Sequence, residues 1–318
     1  MAKNKGKTPK GKKFLFGLLA AVLVVLVLAV YFIAKYVSGY DITGSPLTKA
    51  DNDTVSIPDE SGDNEDESQT SDNRVDYFID ENGNYIPDYE TVEENEYDPA
   101  LFRTEGGRIY YDSPEARYGI DVSSHQGTVD WEKVKAAGID YAIIRAAYRG
   151  YGESGTLNED ENFRQNADAA TQAGVHIGAY IFSQAITTDE AIEEAEFIIN
   201  NIRDLTVDYP IVFDWEPINY DSARTDDITR EQLTDIAVAF CERIEEAGYH
   251  SAIYLNTSQG YLEYNLERIS DYDIRLADYD EIPDFYYKFH IWQYTNQGEI
   301  DGITGSVDLN ISFKNYAG

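Results

Sequence analysis

Apolar residues recur with two different periods along this chain. From residue 118 onward, short apolar runs alternate with stretches whose apolar positions repeat at helical spacing. The runs predict strands at 118–123, 140–146, 175–182, 210–216, 251–255, 272–277, 290–294 and 307–311. The intervening stretches predict helices: a short one capped by Asp130, one over 158–173, one opened at 188–190 and a long one over 229–247. Gly174 and Gly248 stop two of them. After the fifth strand the helices shorten, and the last three strands follow with little helix between them. This order predicts an α/β fold, a TIM-like barrel of about 200 residues, at the short end for that architecture. A doubly wound open sheet is the alternative. The turn after the first strand, Ser123-Ser124-His125-Gln126-Gly127, lacks the glycine spacing of a phosphate loop.

In a barrel of this kind the site lies at the carboxyl ends of the strands. The polar residues there are Asp121, Asp214, Glu216, Asn256, Asp278, Gln293 and Asp308. The fourth strand is the most informative: Ile211-Val212-Phe213-Asp214-Trp215-Glu216-Pro217. Period two puts Asp214 and Glu216 on one face, with Cα atoms about 6–7 Å apart, and Trp215 on the other. Pro217 lacks an N–H and ends the ladder. Two carboxylates this close raise one pKa and keep a proton available near neutral pH. That is a general-acid arrangement of the type glycoside hydrolysis uses. The alternative reading is that one acid caps a turn or pairs with an arginine.

The amino end has another pattern. Residues 1–13 carry six lysines and no acid, and 14–34 are 21 residues without a charge. That length spans a hydrocarbon core, and the flanking lysines place the amino terminus in the cytoplasm. A cleaved signal peptide is the alternative, but its apolar region is usually shorter, about 7–15 residues. The expected organisation is a basic cytoplasmic tail at 1–13, a transmembrane anchor at 14–35, a disordered acidic linker at 36–105 and a barrel domain at 106–318, outside the membrane. The linker assignment rests on 18 acids against one basic residue, Arg74, between Asp51 and Asp98. Within it, 80–84 offers oxygen ligands without the full spacing of a calcium loop.

Net charge is −34, which argues against nucleic acid as a partner. Cys241 is the only cysteine, so no internal disulfide forms, and its apolar helical surroundings predict a buried thiol. No histidine and cysteine grouping has metal-ligand spacing, and no cofactor is expected. Trp131 and Trp215 are read as packing residues.

Three separated motifs resemble glycoside hydrolase family 25, the Chalaropsis-type lysozymes. They are Tyr118-Gly119-Ile120-Asp121-Val122-Ser123 with Gln126-Gly127 and Asp130-Trp131; Phe213-Asp214-Trp215-Glu216; and Ile291-Trp292-Gln293-Tyr294 with Gly298, Gly302-Ile303 and Val307-Asp308-Leu309-Asn310. The resemblance covers about 118–313. It implies a (β/α)5(β)3 barrel and N-acetylmuramidase activity on the glycan strands of peptidoglycan. It further implies Glu216 as general acid, Asp214 as its partner, Asp121 and Asp308 as flanking acids, and Tyr180, Tyr254 and Gln293 along the sugar groove. Tyr148 and Tyr151 are further groove candidates, and Asp278 joins them from its strand end. The chain departs from the family where Ile181 separates Tyr180 from Phe182 and where the sixth strand reads Ile274 to Tyr279 without tryptophan. Neighbouring carboxylates favour retention with help from the substrate's own N-acetyl group. A binding module that does not cut, and a hydrolase of another N-acetylated glycan, are the rival readings.

Overall fold

The computed structural model describes residues 76–79 and 85–318. The expected anchor at 14–35, the 80–84 loop and most of the acidic linker lie outside the described residues. Among the described residues no helix is long and apolar enough to cross a membrane.

Strands β1 (Asp76–Ile79) and β2 (Tyr85–Asp88) form an antiparallel pair, as do β3 (Phe102–Glu105) and β4 (Arg108–Tyr111). Then come β5 (Arg117–Val122), β6 (Tyr141–Arg149), β7 (Leu157–Glu159), β8 (His176–Ser183), β9 (Ile211–Trp215), β10 (Ser251–Asn256), β11 (Asp273–Ala277), β12 (Ile291–Gly298) and β13 (Val307–Ser312). The sheet runs β5-β6-β8-β9-β10-β11-β12-β13 and closes back onto β5, an eight-strand barrel. All neighbours are parallel except β13, which runs antiparallel to both β12 and β5. β7 is an extra strand hung on the end of β6.

All eight predicted strands are present. Helices α1 (Trp131–Ala136), α2 (Phe163–Gln172), α3 (Thr188–Ile202) and α4 (Arg230–Glu246) follow the first four barrel strands. Short α5 (Thr257–Leu262) and α6 (Leu266–Ile269) follow β10. Side-chain caps fix the starts: Thr187 accepts from Glu190 N, and Thr229 and Gln232 form a capping box. The second helix starts later than expected, because 157–159 pairs with β6 instead.

Strand parity divides the core. Ile211, Phe213 and Trp215 face out toward the helices, while Val212 packs inside with Ile143, Ala252 and Ile291. Tyr141 and Tyr209 stack at 4.0 Å within the same inner cluster. A Cβ at Gly119 would lie 2.2 Å from the Tyr141 ring, so only glycine admits that ring. Cys241 is buried and unpaired on α4, and Trp131 and Trp215 are buried, as expected.

The amino-terminal part of the described chain corrects one expectation. Residues 85–105, assigned to a disordered linker, carry β2, β3 and a short 3-10 turn, and a boundary at 106 would cut the β3–β4 hairpin at its turn. The Tyr97 ring stacks on Phe313 at 3.9 Å, and its hydroxyl donates to the Phe289 carbonyl. Phe102 meets Trp292 edge-on at 5.5 Å. The reason is the missing helices. Between β11 and β13 no long helix covers the outward side chains, and Tyr97 and Phe102, with Tyr111 of the next strand, pack there against Phe289, Trp292 and Phe313. Acids between these apolar positions hid them in the sequence.

Candidate active site

Inward parity at the carboxyl ends of the parallel strands builds the site. Asp121 on β5, Arg145 on β6, Tyr180 and Phe182 on β8, Asp214 on β9, Tyr254 on β10, Arg275 on β11, Gln293 on β12 and Asp308 on β13 line one cavity of about 240 Å³, together with Glu216 just beyond β9. Because β13 is antiparallel, Asp308 sits at its start, opposite Asp121 in the ladder. Asp214 lies opposite Tyr254 on one side and Phe182 on the other.

Gln293 organises one wall. Its amide nitrogen donates to Asp121 at 2.7 Å and to Asp308 at 3.2 Å. Its carbonyl oxygen accepts from the Tyr254 hydroxyl at 3.3 Å and from Tyr279 at 3.0 Å. Arg275 is buried, bonded to Asp121, with its guanidinium carbon 5.1 Å from the centre of the Tyr254 ring. Asn310 also donates to Asp121, at 3.0 Å. Thus Asp121 is fully engaged in holding the wall. Arg145 is tied to Asp160 at 2.8 Å and to the Ser124 hydroxyl at 3.1 Å.

The Asp214–Glu216 pair is different. Oδ1 of Asp214 is buried without a hydrogen-bond partner. Burial, then the charge of Glu216, holds Asp214 well above the usual carboxylate range, with Arg275 opposing. Burial also raises Glu216, again opposed by Arg275. The pair titrates as a unit and retains a proton where isolated carboxylates have lost theirs. Asp308 is pushed up to about 7 by burial and by Asp121 beside it. The backbone after β9 is pinned twice: Gln184 donates to the Glu216 carbonyl at 2.9 Å, and Gln259 to the Trp215 carbonyl at 3.1 Å.

The cavity unites Asp121, Asp214, Glu216, Asp308, Tyr180, Tyr254 and Gln293, as the sequence suggested. Asp278 is not among its lining. On β11 the inward positions are Arg275 and Ala277, so Asp278 points the other way and accepts from the Asp280 and Asp284 backbone N–H groups, both at 3.1 Å. Tyr148 also misses the cavity. A register shift after Arg145 breaks the parity of β6, and the Tyr148 ring is exposed, 5.4 Å from the Arg145 guanidinium. Tyr151 turns to Tyr220 at 5.8 Å. Asn256 caps α5, accepting from Gln259 N at 2.9 Å. The cavity also takes in Arg145, Arg275 and Phe182, none of them a site residue in the sequence reading. The signal was available for Arg275: it lies between the outward apolar residues Ile274 and Leu276.

Residues 120–303 match the model of glycosyl hydrolases family 25. The chain is 27% identical over 194 residues to an autolytic lysozyme of Clostridium acetobutylicum, covering 60% of this chain and 54% of that protein. It is 26% identical over 205 residues to lysozyme M1 of Streptomyces globisporus, covering 60% and 66% respectively. It therefore spans between half and two thirds of the length of these relatives. A solved family 25 glycosyl hydrolase of Bacillus anthracis shares the fold, with a TM-score of 0.52 at 23% identity, covering 67% of this chain and 96% of that one. On the matched segment of more than half its length, this chain belongs to glycosyl hydrolase family 25.

Proposed function

We propose that this chain hydrolyses the β-1,4 bond between N-acetylmuramic acid and N-acetylglucosamine in peptidoglycan. The observation that carries the reading is the Asp214–Glu216 pair, both raised by burial at the mouth of a barrel whose other inward groups are sugar-binding in chemistry. Two named relatives are lysozymes, which points to the substrate.

Glu216, the less enclosed of the two, donates its proton to the leaving glycosidic oxygen as positive charge grows at the anomeric carbon. Asp214 keeps one oxygen free of protein donors, and that oxygen is available to an acetamido N–H of the substrate. Orienting the acetamido group lets its carbonyl displace the protonated leaving oxygen at the anomeric carbon; water, deprotonated by Glu216, then opens the cyclic intermediate from the opposite face, giving retention. Asp121, fully bonded, positions Arg275 and Gln293, whereas Asp308 borders the sugar. Metal or cofactor plays no part in this scheme.

The same proposal places the domain outside the cell membrane, held by residues 14–35. Its support is the uncharged run that follows six lysines. Protease added to intact cells should then remove the barrel; full protection would rule out this placement. For the chemistry, purified full-length protein and its Glu216→Gln variant are incubated with cell wall, and the fragments are identified by mass spectrometry. Reducing muramic acid ends from the unaltered protein alone support a muramidase. Reducing glucosamine ends would point to another glycosidase, and no release from either protein to a binding module.

A further inference from the structure

A second cavity of about 430 Å³ lies beside the catalytic one, between the β3–β4 hairpin, the residues after β11 and the end of β12. It lies toward the same end of the barrel. Phe102, at the hairpin's base, packs on Trp292 in the lower part of β12, whereas its Gly106-Gly107 turn shares the cavity with Gln297 and Gly298 at the carboxyl end of that strand. The hairpin falls outside the 120–303 segment that matches the family, so this wall is an addition to the matched barrel.

Tyr279 joins the two cavities. Its hydroxyl donates to Gln293 in the catalytic wall, while its side chain, 53% exposed, lines the second space. The chemistry of that space is anionic. Asp280, Glu281 and Glu299 line it and make no ion pair among the described residues. The one cation there, Arg108, is committed to the Ala137 carbonyl at 2.8 Å and to the Tyr110 ring. A ligand bearing an ammonium group complements this lining; a neutral sugar leaves the acids uncompensated. In peptidoglycan, the muramic acid bears its peptide on a lactyl ether, to the side of the glycan chain. A side cleft next to the scissile bond is where such a peptide goes.

We propose that the hairpin cleft is a subsite for the peptide stem of the substrate and that it selects stems with a free side-chain ammonium. The assignment rests on the glycan-cleaving reading of the neighbouring pocket. The probe is a pair of synthetic disaccharide-tetrapeptides, one with a free side-chain amine and one with that amine acetylated. Binding of each is measured to the full-length Glu216→Gln chain and to the same chain also carrying Glu281→Gln and Glu299→Gln. The first chain binds the ammonium form about fivefold more tightly than the acetylated form, from a few solvent-facing charge contacts. The preference disappears in the second chain. It also declines in the first chain as salt rises from about 0.05 to 0.5 M, a check that needs no further substitution. Equal affinity for the two probes in the first chain, or a preference that survives both high salt and the added substitutions, overturns the subsite. Binding is read without turnover, so the two readings separate. A wall digest that yields nothing while the preference persists removes the hydrolase and keeps the cleft, and cleavage without preference does the reverse.

Discussion

Gln184, just past the end of β8, donates its side-chain amide to the backbone carbonyl of Glu216 at 2.9 Å. Its own oxygen accepts from the Thr225 hydroxyl at 2.9 Å, so one buried amide ties the acid's backbone to the loop that follows it. Replacing it with alanine frees the carbonyl and leaves the Thr225 hydroxyl unpaired. We expect Gln184→Ala to lower kcat by about tenfold to a hundredfold through misplacement of Glu216, with KM nearly unchanged. A KM effect equal to the kcat effect would mean that Gln184 serves binding instead.

The acid itself should matter most. Glu216→Gln is expected to lose about a thousandfold in wall-fragment release, since general-acid help is worth roughly 10²–10⁴. On the proposed mechanism Asp214→Asn should cost about a hundredfold, because an amide retains the shape while losing the carboxylate that would accept the acetamido N–H. Retained activity in Glu216→Gln would move the acid role to another carboxylate of the pocket.

Arg275 is the cation among four carboxylates that has no exit to solvent. Arg275→Met leaves Asp121 buried without its charged partner, and removing one member of a buried pair costs roughly 3–5 kcal/mol. The loss, read from urea unfolding, should be smaller at pH 5 than at pH 7.5, because protons can neutralise the stranded acids. An equal loss at both values would show that packing over Tyr254, and not charge, is what the guanidinium supplies.

Asp308 gives a pH signature. Its native pKa is pushed up to about 7, while an unfolded aspartate titrates near 3.9. Between those values the native state binds the extra proton, so its contribution to stability is complete below about pH 4 and is lost as pH rises through 7. Asp308→Asn removes that term. Melting temperature should therefore fall less between pH 5 and pH 7.5 in the variant than in the unaltered protein. Parallel falls would place the titration elsewhere.

The segment before the matched region is expected to be part of the folding unit. Tyr97→Ala loses the Phe313 stack and the bond to the Phe289 carbonyl, a cost of about 2 kcal/mol for a half-buried aromatic. A chain beginning at 106 should melt lower than one beginning at 85. Equal melting temperatures would show that the segment only lies on the barrel.

Local patterns reached far in this chain. Period two on β9 put Asp214 inside and Trp215 outside, and Thr229 and Gly248 bounded a long helix. All eight barrel strands were legible because each is a short apolar run whose alternation depends on its own residues. Period two on β11 likewise turns Arg275 inward and Asp278 away from the cavity.

Other features depend on residues far apart in sequence. The direction of β13, which sets Asp308 against Asp121, is fixed by pairing with β5 almost two hundred positions away. Gln293 meets Asp121, Asp308, Tyr254 and Tyr279 only once the barrel closes. The raised carboxylates require burial and one another's charge, which no local run encodes. The placement of residues 85–111 follows from the bare outer face of β12 and β13, a vacancy that exists only in the assembled fold. Sequence determined which groups point inward, because alternation is a property of one strand; tertiary structure decided which of them meet, because contact and burial belong to the closed barrel.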